Sequence, residues 1–250
     1  NRKRIPTSLL SMLMLLIFAF IGPYQVQSQN WQQEVHYEID VKLTPKIHLI
    51  EGTEALTYTN HSPDTLDRVF FHLYWNAFQP GSMMDVRSRT IPDPDPRVGD
   101  RIGNLRKSEI GFIEVTQMNL NGIPCTLHQE GTILEVSIPQ AIPPQSKVSF
   151  DLHFVAQVPL QIRRSGRFNK EGIEYSMSQW YPKICAYDKD GWHANPYIGR
   201  EFYGTFGRFD VRLNAPSEYV IAATGILQNP EATAPHHKYA EVADLSGVYK

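Results

Sequence analysis

Cysteine is scarce in this sequence, and the common motifs of metal binding and nucleophilic catalysis are missing. The 250 residues include two cysteines, nine histidines and a formal net charge of −2. No His-Glu-x-x-His segment occurs and no cysteine pair has zinc spacing, so we expect no metal site within this span. Gly-x-Ser-x-Gly is also missing and neither cysteine neighbours a histidine, so we assign no catalytic residue here. Because the charge is near neutral and no basic stripe is present, nucleic acid is not an expected partner.

Helical spacing of apolar residues is lacking as well, whereas strand-like alternation is frequent. Apolar and polar residues alternate over residues 35–43 and 148–155, a period of two that is typical of half-buried strands. A further strand is predicted at 219–223. The pattern therefore predicts an all-β fold, an antiparallel twisted sandwich or saddle of about nine or ten strands. Residues 76–111 show no periodicity, and we expect a long functional or mobile loop there.

The first 28 residues have the layout of a secretory signal peptide. A basic Arg-Lys-Arg segment at residues 2–4 precedes an apolar run over residues 9–21, which a Gly-Pro pair ends. Such a run is shorter than the roughly 20 residues that span a bilayer, so no stable membrane span is expected after cleavage; an uncleaved anchor is the alternative. We predict a signal peptide at 1–28, a β domain at 29–226 and a linker at 227–250, in an exported protein that is periplasmic or extracellular.

Export would place Cys125 and Cys185 in an oxidising compartment, where two thiols can form a disulfide. A bridge across that interval would stabilise the fold by about 4 kcal/mol in the chain-entropy model. Two separate buried thiols are the alternative, since a sequence does not show whether the two Cα atoms come within bridging distance.

The segment from residue 179 to residue 203 is rich in aromatic and charged side chains. Its aromatic residues are Trp180, Tyr181, Tyr187, Trp192, Tyr197, Phe202 and Tyr203. A loop of this composition on a β scaffold is typical of a binding surface for peptide or sugar. A well-packed loop whose rings cover the edge of a sheet would have the same composition, so both interpretations stay open.

Several motifs of this chain match the pattern of a known family. They are Gln-Trp-Tyr-Pro at 179–182, Gly-Thr-Phe-Gly-Arg-Phe-Asp-Val at 204–211, Tyr-Val-Ile-Ala-Ala-Thr-Gly at 219–225 and, near the start, Tyr-Glu-Ile-Asp-Val-Lys-Leu at 37–43. In these motifs the chain resembles the N-terminal β domain of the gluzincin zinc aminopeptidases, the family of alanyl aminopeptidase and leukotriene hydrolase. The resemblance covers residues 35–225.

The resemblance implies an exported bacterial exopeptidase that removes residues from the N-termini of peptides. In that family a His-Glu-x-x-His motif and a downstream glutamate hold zinc, and the motif glutamate activates the zinc-bound water. Neither lies within residues 1–250. The resemblance therefore implies that the zinc and the catalytic domain, the partner of this domain, follow the linker at 227–250, and that the 250-residue span alone is inactive.

The resemblance also indicates residues that would bind the substrate. In the family, a Gln or Glu shortly before the aromatic-Pro motif contacts the substrate amine, a role that suits a carboxylate because it pairs with an ammonium. Here it points to Glu174, with Gln179 and Tyr181 as further substrate-binding residues. Two alternatives stay open. One is a stand-alone secreted β-sandwich that binds carbohydrate or protein through the loop 179–203, and the other is a degenerate relative that keeps the fold and has lost the metal.

Overall fold

The structure, a computed structural model, describes residues 31–92, 95–199, 203–229 and 239–243. The predicted signal peptide at 1–28 lies outside these residues. The described residues form one α-helix, α1 (Met83–Thr90), and three short 3-10 turns (Pro45–Ile47, Tyr74–Ala77 and Ile102–Asn104). The strands, numbered in chain order, are β1 (Glu34–Thr44), β2 (Leu49–Asn60), β3 (Leu66–His72), β4 (Phe112–Leu120), β5 (Ile123–Pro124), β6 (Thr126–Glu130), β7 (Ile133–Ile142), β8 (Ser146–Gln157), β9 (Gly166–Arg167), β10 (Tyr175–Ser176), β11 (Lys183–Ile184), β12 (Tyr187–Asp188), β13 (Gly191–Trp192), β14 (Gly207–Asn214), β15 (Ile226–Leu227) and β16 (Tyr239–Ala243).

The strands form two main sheets. The large sheet has eight strands in the order β15-β16-β14-β1-β2-β8-β4-β5, and the small sheet has four in the order β11-β3-β7-β6. Two-stranded ribbons, β9–β10 and β12–β13, accompany them. Among the described residues, every strand pair is antiparallel except β1 with β14. The prediction of an all-β, mostly antiparallel sandwich is confirmed.

The core lies between the two sheets. Burial alternates along β1 and β2, because successive side chains of a strand point to opposite faces. From the small sheet, Phe71 meets Phe150 of the large sheet edge to face, with ring centroids 6.1 Å apart. Both rings are fully buried, and each such burial stabilises the fold by about 1.5–3 kcal/mol. This layer of facing apolar side chains makes the two sheets a sandwich.

The parallel pairing of β1 with β14 explains the Phe-Asp-Val motif in structural terms. The ring of Phe209 lies parallel to the ring of Tyr37, with centroids 4.6 Å apart. On the opposite face of the sheet, the carboxylate of Asp210 lies 2.6 Å from Nε2 of His36. Two adjacent motif residues therefore hold β14 against β1. Phe209 makes an apolar contact on one face of the sheet, and Asp210 makes a polar contact on the other face.

Gly207, the last glycine of the Gly-Thr-Phe-Gly motif, sits where β14 first meets β1. A Cβ atom at this position would lie 2.3 Å from both the carbonyl oxygen and Cγ2 of Val35. We therefore expect Gly207→Val to lower the free energy of unfolding by about 3 kcal/mol, because an overpacked side chain must separate the two strands. Urea unfolding measures the effect. Arg208→Val, which places the same side chain at the exposed neighbouring position, is the control, and an equal effect of both substitutions would contradict the close approach.

The predicted aperiodic loop at 76–111 contains the helix α1. The sequence has no helical spacing of apolar residues, so it did not predict this helix. Ser82 caps the helix, and its Oγ accepts a hydrogen bond from the backbone N–H of Asp85 at 3.1 Å. The buried carboxylate of Asp85 also accepts a bond from Arg89 at 2.9 Å. A helix of eight residues has only two turns, too few for an apolar stripe to stand out in the sequence.

Residues 219–223 do not form the predicted strand. They follow a turn in which the N–H of Tyr219 donates to the carbonyl of Pro216 at 3.0 Å, and they have no regular structure. The strand β16 lies within the range 227–250 predicted as a linker, and β15 overlaps its first residue. The strand β16 extends the large sheet beside β14.

In the described part of the chain, no helix combines the length and the apolar character needed to cross a membrane.

Candidate functional site

The three residues predicted to bind substrate lie in one segment, residues 174–181, and differ in exposure. Glu174 is exposed and precedes β10, whereas Gln179 and Tyr181 are half-buried. Between them, Ser178 is held by hydrogen bonds to Trp75 and Ser165. Glu174 and Gln179 therefore have different surroundings within this segment.

Glu174 is held by a tyrosine from a distant part of the chain. Its Oε1 accepts a hydrogen bond from the hydroxyl of Tyr219 at 2.8 Å, and its carbonyl oxygen accepts one from the N–H of Phe168 at 2.8 Å. Burial and the neighbouring carboxylate raise the pKa of Tyr219 to about 12, so its hydroxyl remains a donor at neutral pH. Within the described part of the chain Oε2 accepts no hydrogen bond, so this oxygen can accept one from a further donor.

The hairpin of β9 and β10, whose loop carries Glu174, is held by a hydrogen bond between the imidazole of His48 and the phenol of Tyr175. The hydroxyl of Tyr175 lies 2.7 Å from Nδ1 of His48 and donates to the carbonyl of Pro45 at 3.2 Å. Burial and the nearby positive charge of Arg167 lower the pKa of His48, and Glu174 partly offsets them. A neutral imidazole can therefore accept or donate in this pair without adding a second positive charge beside Arg167.

Arg167 is a buried cation at the base of the same hairpin. It is 3% exposed, and its guanidinium donates to the carbonyl oxygens of Val158 and Ser108. Burial lowers its pKa, yet an arginine remains charged at physiological pH. Because β9 pairs Arg167 directly with Tyr175, this anchored side chain fixes the position of the residue next to Glu174.

Sequence reasoning missed His48, Arg167 and Tyr219 as neighbours of Glu174. His48 and Tyr175 are 127 residues apart, and Tyr219 and Glu174 are 45 residues apart. No spacing rule connects residues over such intervals, because only the pairing of distant strands brings them together. A local signal existed for Tyr219 alone, since it begins one of the motifs that carry the resemblance.

Gln179 has a backbone conformation that is unusual for its residue type. Its φ is 50°, in the left-handed region that costs a non-glycine residue roughly 1–2 kcal/mol. The preceding residue is held firmly, because the carbonyl of Ser178 accepts bonds from Nε1 of Trp75 at 3.0 Å and from Oγ of Ser165 at 3.2 Å. Strained backbone that the surrounding structure enforces is concentrated at functional sites, so Gln179 is a candidate contact residue on geometric grounds.

Tyr181 belongs to a packed aromatic cluster rather than to an open surface. Its ring lies 5.6 Å from the ring of Tyr37, 5.9 Å from that of Phe209 and 5.4 Å from that of Trp180. Edge-to-face pairs of this kind are worth about 0.5–1.5 kcal/mol beyond the area they bury. The ring of Tyr181 therefore joins the aromatic-Pro motif to strands β1 and β14.

Trp192 of the same aromatic segment also packs against the sandwich. Trp192 lies 6.4 Å from Tyr58 of the large sheet and 5.9 Å from Phe70 of the small sheet, measured between ring centroids. Asp188 lies 2.8 Å from Nε2 of His193, a contact that, against the opposing effect of burial, lowers the pKa of Asp188 to about 2. Of the two interpretations of this segment, the geometry favours the packed loop.

The two cysteines are free thiols. Cys185 is buried and its N–H donates to the carbonyl of Phe70 at 2.7 Å, whereas Cys125 is half-buried. Burial raises the pKa of both thiols, which makes them poor nucleophiles. Neither cysteine is in a disulfide in the structure, and the disulfide between them stays a prediction.

No metal site is formed by the described ranges 31–92, 95–199, 203–229 and 239–243. They contain no group of three or more His, Cys, Asp and Glu side chains arranged to hold an ion. These residues therefore do not fit a zinc ion, and no chemical step at this chain's own residues can be assigned to one.

No family model and no curated protein matches the chain. Solved structures similar to it are M1 zinc metallopeptidases. The enzyme from Deinococcus radiodurans has 16% sequence identity and a TM-score of 0.47, with 85% of this chain and 39% of that chain covered. A mutant of the Deinococcus radiodurans enzyme bound to a Tyr-Ser-Ala substrate has 16% identity and a TM-score of 0.48, covering 86% and 39%. A two-domain M1 zinc metallopeptidase mutant bound to L-tryptophan has 17% identity and a TM-score of 0.48, covering 86% and 40%. The chain thus spans about two fifths of the length of these proteins, and a likeness this distant says nothing about activity.

Proposed function

We propose that this chain is the substrate-facing N-terminal β domain of a zinc aminopeptidase that removes N-terminal residues from peptides. The observation that carries the proposal is the aromatic cluster of Tyr37, Tyr181 and Phe209. These three residues come from three separate motifs of the resemblance, and the fold stacks them together. Motifs that are far apart in sequence and adjacent in space form one structural unit, which supports a family origin more strongly than any one motif does.

In this proposal Gln179 and Glu174 recognise the free amine of the peptide. An ammonium group donates hydrogen bonds to amide and carboxylate oxygens, and such charge-assisted bonds are stronger than neutral ones. Oε2 of Glu174 and the side-chain oxygen of Gln179 are the two acceptors. Tyr181 acts as a positioning residue, because its ring packs against β1 and β14 two residues beyond the strained backbone of Gln179.

The zinc of the proposed enzyme belongs to residues outside the described part of this chain. When bound, a catalytic zinc ion activates water for peptide hydrolysis. The part played by the described residues is to bind and orient the substrate amine.

The protein of this proposal is exported. The rival function is that of a stand-alone secreted domain that binds carbohydrate or protein. The packing of Trp192 on both sheets weakens that rival, because most of the described rings of the aromatic segment are half-buried or buried, with Tyr203 the exposed exception.

The proposal is tested on the full-length protein that the gene encodes. We expect that protein to bind zinc and to hydrolyse aminoacyl-p-nitroanilides. Gln179→Ala should lower kcat/KM by about tenfold or more, as expected for the loss of a hydrogen bond to a charged group worth about 1.5–3 kcal/mol. Gln145→Ala is the matched control, because Gln145 also has a positive φ, of 57°, but lies in an exposed turn between β7 and β8.

Three outcomes would contradict the proposal. One is a full-length protein without a zinc motif. Another is an equal loss of kcat/KM in the Gln179→Ala and Gln145→Ala variants. The third is aminopeptidase activity or stoichiometric zinc in the isolated 250-residue chain, since the described residues do not form a metal site.

A further inference from the structure

A groove of about 440 Å³ lies on the face of the small sheet that is turned away from the large sheet. Phe71 of β3 contacts the large sheet, so its neighbour Phe70 points to the opposite face. Phe70 forms part of the groove together with Ile133 and Glu135 of β7. Residues of the strand β6 and of the segment 194–197 complete the lining. The groove is therefore built on paired strands rather than on loops alone.

The strand β6 presents its side chains in register with those of β7. His128 pairs with Glu135 and Glu130 pairs with Ile133 across the two strands. Directly paired residues of antiparallel strands share a face of the sheet. These four side chains therefore lie on one face, and any strand added beside β6 would place every second side chain next to His128 and Glu130.

The groove combines negative charge with apolar surface. Its lining contains two carboxylates, Glu130 and Glu135, and no lysine or arginine. Glu135 is paired with Arg68 at 3.0 Å, whereas Glu130 is exposed and forms no ion pair within the described part of the chain. Met83, which is 61% exposed, and Pro196 also line the groove. A ligand that carries both a cation and an apolar group matches this lining.

The outer edge of β6 is open to a further strand. Among the residues that the structure describes, β6 pairs with β7 alone and is the last strand of the small sheet. Its sequence, Thr-Leu-His-Gln-Glu, contains neither lysine nor proline, the residues that commonly protect an edge from pairing. Free N–H and C=O groups along such an edge bind extended peptides by adding a strand, while the neighbouring pockets select alternate side chains.

We propose that the β6 edge is a docking site for an extended peptide that adds to the small sheet. The peptide carries a lysine or arginine against Glu130 and a large apolar residue two positions along, on the same face of the sheet as Ile133. The backbone hydrogen bonds of the added strand provide the attachment, and Glu130 selects the cationic side chain. This site is separate from Gln179 and Glu174, and it holds whether or not the chain belongs to a peptidase.

The test uses this chain and a fluorescein-labelled peptide of sequence Ser-Lys-Ser-Leu-Ser-Lys-Ser-Leu, with binding followed by fluorescence anisotropy. We expect saturable binding that Glu130→Lys weakens by about tenfold or more, because the substitution sets like charges against each other. Glu114→Lys is the matched control, since Glu114 is an exposed glutamate on β4 of the large sheet, and it should leave the affinity unchanged. The same peptide with N-methyl groups on every backbone nitrogen should not bind, because neither of its edges can then donate hydrogen bonds to β6.

The proposal is overturned if the lysine peptide does not bind, or if a peptide with glutamate in place of lysine binds equally well. It is also overturned if Glu130→Lys and Glu114→Lys change the affinity to the same extent. Binding of the N-methylated peptide with unchanged affinity would exclude strand addition. The peptide comparisons use the unsubstituted chain, so they decide the question even if a variant folds poorly.

Discussion

Glu54→Leu should raise the free energy of unfolding at neutral pH by about 2 kcal/mol or more, which is the cost of burying a polar group without a partner. Glu54 is 2% exposed, and neither carboxyl oxygen has a hydrogen-bond partner among the residues that the structure describes. Burial raises the pKa of Glu54 well above its usual range. Urea unfolding measures the gain. Glu51→Leu, at an exposed position of the same strand, should give no comparable increase.

The same residue predicts a dependence of stability on pH. Below about pH 4.5, the ordinary pKa of a glutamate, the carboxyl group is protonated in both the folded and the unfolded chain and has no effect. Above that pH the unfolded chain releases the proton first. Wild-type stability should therefore fall relative to the leucine variant, by up to about 1.4 kcal/mol per pH unit, until the pH passes the raised folded pKa.

The difference in unfolding free energy between the wild type and Glu54→Leu, followed against pH, reports Glu54 alone, because the other titrating groups are common to both proteins. Glu54→Gln keeps the volume and should remove the same pH dependence. A leucine variant that is less stable than the wild type at neutral pH would show that the carboxylate is solvated or paired in solution.

Trp75→Ala should lower the free energy of unfolding by about 3–5 kcal/mol, the cost of removing a large buried aromatic ring. Trp75 is fully buried, and its Nε1 donates to both Ser165 Oγ and the carbonyl of Ser178 at 3.0 Å. Trp75→Phe keeps a ring but loses the N–H, and it should lower the free energy of unfolding by about 1–2 kcal/mol. In that variant we expect faster amide hydrogen exchange over residues 176–181, since the carbonyl before Gln179 loses a donor.

Trp192→Phe serves as the control for the tryptophan series. Trp192 is half-buried and packs through its ring on Tyr58 and Phe70, contacts that phenylalanine partly keeps. Unchanged exchange at 176–181 in Trp75→Phe would show that the indole N–H does not hold this segment, and the strain at Gln179 would then need another cause.

The regular strands could be predicted because the alternation of apolar and polar residues along a strand reflects which side chains are buried, and this pattern can be read from neighbouring residues alone. The pattern over residues 35–43 corresponds to β1 (Glu34–Thr44), and that over 148–155 corresponds to β8 (Ser146–Gln157). Each is buried on one face, so the sequence records the period directly. The helix α1 was missed because two turns carry too little periodic signal. Residues 219–223 have the apolar composition of a strand, but they follow the turn at Pro216 and pair with no other strand of the described residues, so their composition alone was misleading.

The candidate site was less predictable than the fold. The resemblance identified the segment that contains Glu174, Gln179 and Tyr181, yet their environments differ because of contacts over long sequence intervals. Tyr219 holds the first, Trp75 fixes the backbone before the second, and the third packs on β1 and β14. The positive φ of Gln179 also has no sequence signal, because glutamine is not a residue that favours this conformation.

The parallel pairing of β1 with β14 has a consequence for how this chain reaches its native state. Contacts between the two strands, such as that of Asp40 with Arg212, join residues 172 positions apart. Contacts of high sequence separation must pay a large loop-closure entropy before they form, so a topology that depends on them folds slowly. During synthesis β1 has its hairpin partner β2 early but waits for β14 until nearly the whole domain has left the ribosome. Until then its second edge is unpaired, and this nascent chain is the species most exposed to aggregation and to capture by chaperones.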